Sequence, residues 1–114
     1  MVYPYINKDI AANGHVYPVT GTHGDYSSCF GSYTVAQGEN STVVGTCNYP
    51  SASDIFSVGV GSGMNAVSRS NAVLVTQSGD VYIKGIGNYD GRDYTSAGVK
   101  SIQTVISELQ DALI

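Results

Sequence analysis

The chain has 114 residues, a formal net charge of −4 and 14 glycines, and only 12% of its residues are charged, about half the share of roughly 25% in soluble globular chains. Its five cations, Lys8, Arg69, Lys84, Arg92 and Lys100, are dispersed, which excludes the basic footprint a phosphate backbone requires. No apolar run reaches the roughly 18 to 20 residues that cross a bilayer, so neither nucleic acid nor direct membrane insertion is expected.

Residues 1–13 read as an N-terminal extension whose opening MVYPYINKDI lacks the apolar core of a secretory signal. An export signal is therefore expected outside this segment, or release by another route, as for a virion component. From 14 to 48 the chain is organised by glycine. Glycines 24, 31, 38 and 45 stand seven apart through GDYSSCF, GSYTVAQ and GENSTVV. Three residues after each of the first three lies a hydroxyl (Ser27, Thr34, Ser41), and five after lies a small or medium apolar residue (Cys29, Ala36, Val43). Units rich in Ser, Thr, Tyr and Val and punctuated by Gly make short strands and bends rather than helix. Side chains alternate along a strand, so offsets three and five share a face and are predicted to line a narrow interior. Gly14 and Gly21, with Tyr17 and Val19 between them, read as a degenerate first unit. Each glycine is expected to supply a bend of positive φ or a close approach to the next coil.

The repeat, quoted as GSYTVAQG and GENSTVVG, resembles the head repeat of YadA-type trimeric autotransporter adhesins and related phage tail-fibre modules. The resemblance implies a mainly β fold: a left-handed parallel β-roll, homotrimeric, whose handedness departs from the usual right-handed crossover of parallel strands. It covers about Gly24 to Gly45, and the fuller family motif NSVAIG is not intact here. Collagen or matrix binding is accordingly carried over to no residue.

Cys29 and Cys47 lack CxxC or His spacing. They read as buried thiols, with a disulfide as the alternative. Residues 49–87 are predicted to form a β-rich closing region. Pro50 breaks the register at CNYPSASD; Ile55 and Phe56 are candidate core plugs, and Gly59, Gly61 and Gly63 allow close strand approach. The GVGSG run has no following GK[ST], so tight β packing is a better reading than a phosphate loop. Ala72–Thr76 and Val81–Lys84 around Gln77-Ser78-Gly79-Asp80 predict a hairpin.

Residues 88–98 form a polar linker. Its Asn88-Tyr-Asp90-Gly-Arg-Asp93 run lacks the terminal Glu and flanking helices of an EF-hand and reads as a turn. Over 99–114 the period becomes helical. Val99, Ile102, Ile106, Leu109 and Leu113 are spaced three and four apart, an a/d seam, and this seam is the predicted trimer interface of a short coiled coil. One amphipathic helix capping its own β core is the alternative.

No catalytic constellation emerges. His15 and His23 sit in Gly-rich coil, and Asp54 and Asp80 occupy corner and turn. No cofactor or metal is expected, and the chain reads as a non-enzymatic module. Tyr26 and Tyr33 share an offset two after glycine and are the candidate binding residues, a ladder for a host surface protein or glycan. The expected function is a trimeric fibre or adhesin head module at a cell surface or on a virion. A purely structural stalk, or a glycan-cleaving fibre domain with carboxylates facing each other across an interface, are the alternatives.

Overall fold

A computed structural model of the chain describes residues 5–6, 21–22 and 24–113. Most of the N-terminal extension and the degenerate first unit, with His15 and His23, lie outside the described residues. The architecture is mainly β. Strands β1 (Tyr5–Ile6), β2 (Gly21–Thr22), β3 (Ser28–Ser32), β4 (Val35–Ala36), β5 (Thr42–Thr46), β6 (Asp54–Val60), β7 (Asn71–Thr76) and β8 (Val81–Ile83) precede one helix, α1 (Ile102–Ala112). Six strands form a mixed sheet in the order β1-β3-β5-β6-β7-β8, and β2 pairs with β4.

The heptad spacing is half of the structural period. Strands β3, β5 and β6 are parallel, with Ser28, Thr42 and Phe56 in one register row and Gly31, Gly45 and Gly59 in another. Each partner is therefore 14 residues further on, two heptad units, and β2 and β4 obey the same offset through Gly21 and Val35. The first unit of each pair feeds the large sheet, the second feeds the small one. Ser27, Thr34 and Ser41, with Cys29, Ala36 and Val43, are all buried as their shared face requires. Cys29, Ala36 and Val43 form one apolar cluster drawn from both sheets, so the two sheets face each other across a core one small side chain thick. Ser27 tolerates this burial by bonding backbone, its Oγ donating to the Gly24 carbonyl at 2.7 Å.

The bends differ from the expectation. The left-handed backbone falls two residues after each glycine, at Tyr26 (φ 58°), Tyr33 (55°), Asn40 (58°) and Cys47 (43°). Gly31 and Gly45 also take positive φ, 115° and 104°. They stack so tightly that a Cβ on Gly31 would strike the Gly45 carbonyl, and one on Gly45 the carbonyl of Gly59. Close approach, more than the bend, is what demands glycine there.

The parallel register runs on to Val60, so the repeat region does not end at residue 48. Ile55 and Phe56 are not core plugs; each is 36% exposed. The reason is a β-bulge: Asp54 pairs with Thr76 and Phe56 with Val75, leaving Ile55 as the extra residue. Without the bulge Ile55 would point inward. With it, Asp54 occupies the interior instead and is 2% exposed. The hairpin forms as predicted, β7 antiparallel to β8 with Leu74 opposite Tyr82. Cys29 and Cys47 are buried thiols and not a disulfide. The stretch 88–98 is more than a linker, since Tyr89 is buried and the Gly91 carbonyl accepts from Asn71 N at 2.6 Å. Helix α1 begins at Ile102 because Ser101 caps it, accepting from Thr104 N at 3.2 Å. Val99, placed on the seam by spacing, lies before the helix.

A candidate assembly surface on the outer sheet face and helix seam

Strand parity sets what the large sheet shows to its outside. Cys29, Val43, Ser57 and Leu74 point in and are buried, so their chain neighbours point out. Register aligns Phe30, Val44, Val58, Val73 and Ile83 across five strands. Ser28, Thr42, Phe56, Val75 and Val81 form a second row beside it. At the usual strand spacing of about 4.8 Å each row is about 20 Å long. Neither row contains a charged residue. Phe30 is 40% exposed, and Val44, Val58, Val73 and Ile83 are half-buried. The small sheet is different: Gln37, one heptad after Phe30 and one before Val44, is polar and exposed.

This asymmetry was not anticipated from the sequence, although a signal is present. The residue before each repeat glycine alternates Phe30, Gln37, Val44, apolar in the unit that feeds the large sheet and polar in the unit that feeds the small one. Two heptad units make one turn, and the alternation shows only when every second unit is compared.

The helix presents a second uncovered surface. Ile106 is 50% exposed, Leu109 60% and Leu113 87%, while Ile102 is half-buried and no residue of α1 is fully buried. The helix is tied to the hairpin by Gln103. Its Oε1 accepts from Val81 N at 3.0 Å, and its Nε2 donates to the Gly79 carbonyl at 2.9 Å. That amide satisfies groups that an edge strand would otherwise leave open.

The same device closes the repeat stack. Asn48 Oδ1 accepts from Val35 N at 2.7 Å and Nδ2 donates to Val35 O at 2.9 Å, which is what one residue of a further strand would do. Asn71 repeats it on Tyr49, accepting from N at 2.9 Å and donating to O at 2.8 Å. Arg69, almost wholly buried, donates to the carbonyls of Tyr33, Asn48 and Met64; burial holds its guanidinium below the usual arginine range.

Tyr26 and Tyr33 do not form a ladder. Residues seven apart lie half a 14-residue turn from each other, and the 14-residue offset of the paired strands carries Tyr26 to Asn40 and Tyr33 to Cys47, just outside the paired rows. Tyr26 is 73% exposed and Tyr33 half-buried. Aromatic contacts cluster near the hairpin and the stretch that follows it. Tyr82 meets Tyr89 at 5.7 Å and Tyr94 at 5.1 Å between ring centroids, and the Arg92 guanidinium sits 5.3 Å over the Tyr49 ring. Burial pushes the Tyr89 phenol up to about 12, against the hydrogen bond from Asn71. Asp90 and Asp93 serve local turns, accepting from Arg92 N and from Thr95 N and Oγ1. These bonds hold the Asp93 carboxyl below the usual range. Among the described residues no group of three His, Cys, Asp or Glu side chains is placed to hold a metal.

No family model matches the chain, and no curated protein and no solved structure is similar to it.

Proposed function

We propose that the chain is a non-enzymatic module of a homotrimeric fibre or adhesin head, in which the 14-residue turns build a parallel β-roll and the C-terminal helices associate through their seam. The observation that carries the proposal is the uncharged outer face of the large sheet, Phe30-Val44-Val58-Val73-Ile83, together with the uncovered Ile106, Leu109 and Leu113. An occupant of so uniformly apolar a face must itself be apolar and extended, and a second and third copy of the same face meet that requirement. The left hand of the roll is that of the adhesin heads its repeat resembles. The elongated outline, 56 × 25 × 20 Å, suits a module stacked end to end in a fibre at a cell surface or on a virion, attached to a host protein or glycan.

A spacer with no ligand is the second reading, favoured by the separation of Tyr26 from Tyr33. Light scattering after size exclusion tests the assembly: we expect three copies per particle, whereas a stable monomer at micromolar concentration would remove the basis of both readings. Binding of the trimer to host cells or a glycan array then separates adhesin from spacer.

A further inference from the structure

We propose that Asp54 is a proton-operated latch between the last parallel strand and the closing hairpin, tight when its carboxyl is neutral and loosened when it ionises. The bulge at Ile55 turns Asp54 into the interior, in the file that begins with Ser27 and Ser41. Ser27 satisfies its hydroxyl on backbone. At the closing end Asp54 Oδ1, Ser41 Oγ and Ser57 Oγ are all buried without a hydrogen-bond partner. A polar compartment thus sits where β5, β6 and β7 meet, and its one ionisable group within the stack is a carboxyl.

Among the described residues, what surrounds that carboxyl offers a negative charge no cation, and only Ser51 hydrogen-bonds it. Ser41, just before β5, and the Asp54 backbone both pack against Gly38, and Thr76 of β7 is paired opposite Asp54. The Gln77 amide, beyond β7, donates to the backbone carbonyls of Asp54 at 2.8 Å and Glu39 at 2.7 Å, so the charged residue tied to this corner is acidic, as is Asp80 in the hairpin turn. Tyr89 is the titratable group whose phenol is raised further by the Asp54 charge. No Lys or Arg offsets it: burial pushes the carboxyl up to about 7, opposed only by hydrogen bonding to Ser51.

The direction of the pH effect follows. In the unfolded chain the group titrates near 3.8, so between that value and about 7 the folded state holds a proton that the unfolded state has lost. Stability is greatest at the acid end, falls as pH rises through this window and levels off above about 7. The backbone of Asp54 joins β6 to the hairpin, paired with Thr76 and bonded through its carbonyl by the Gln77 amide, and these contacts loosen as the buried carboxyl beside them takes on charge.

Thermal unfolding from pH 5 to 8 tests this, with His15 and His23 both replaced by Gln in every chain to remove their titration. The expected result is a midpoint that falls by about 5 °C or more over the range, and an Asp54→Asn chain whose midpoint stays level. A level midpoint in the parent, or an unchanged fall in the Asn variant, overturns the proposal. Should the Asn variant not fold, NMR titration of the Asp54 side-chain carboxyl in the parent decides: a midpoint near 7 supports the latch and one near 4 overturns it.

Discussion

Amide side chains do in this molecule what strands do elsewhere. Asn48, Asn71 and Gln103 each satisfy two backbone groups where pairing would otherwise stop, so those groups are not orphaned. Asn48 is fully buried, and an Ala there leaves Val35 N and O without partners in a dry site. Since each unsatisfied buried group costs about 1 to 3 kcal/mol, Asn48→Ala should destabilise by about 2 to 5 kcal/mol in chemical denaturation. Asn48→Asp should not rescue it, because a carboxylate accepts from Val35 N but donates nothing to Val35 O; equal stability of the Asp and parent chains would refute the surrogate-strand role. None of this is legible in the sequence. An Asn after Cys47 looks like any turn residue until one knows that the chain leaves the sheet there. The interior file was legible because a two-residue alternation on a Gly-marked period has one outcome: Cys29, Ala36 and Val43 must share a face. Ile55 was misread for a related reason, as a bulge inverts parity and no residue type announces it.

Elements that look alike in the sequence differ in what supports them. The hairpin was legible from two β-rich runs around Ser78-Gly79, and it is held by sheet pairing on one side and Gln103 on the other. The helix was legible from its three-four spacing, but it has no buried residue and 11 residues in all, below the roughly 12 to 15 at which isolated helices begin to persist in water. Its cap at Ser101 and the exposed Lys100–Glu108 pair at 2.9 Å add little, since surface pairs contribute at most about 1 kcal/mol. The helix therefore depends on what covers Ile106 and Leu109. Replacing both with Asp should abolish most of the helical circular dichroism and lower the particle mass while the β signal persists; a double variant that keeps its helicity would show that the contacts to the hairpin suffice.

At the scale of the whole molecule, the two sheets are unequal in a way that sets orientation. One outer face carries Phe30, Val44 and Val58 in register, and the opposite one carries Gln37. In the trimer proposed above, burying the apolar face around a shared axis would leave Gln37 and its neighbours on the outside, where the proposed host contact would be made. Tyr26 and Tyr33, on opposite bends, cannot both face that way. Val58 lies at the centre of the apolar row and is half-buried in a single chain, so a Lys there retains room for its stem while its charge would enter any interface. Val58→Lys should leave the fold intact and reduce the particle from three copies to one at micromolar concentration. Gln37→Lys, an equal change in charge on the other sheet, should leave three. The reverse pattern would put the small sheet at the axis, and the alternation of Phe30, Gln37 and Val44 would then need a ligand, not a second copy, to explain it.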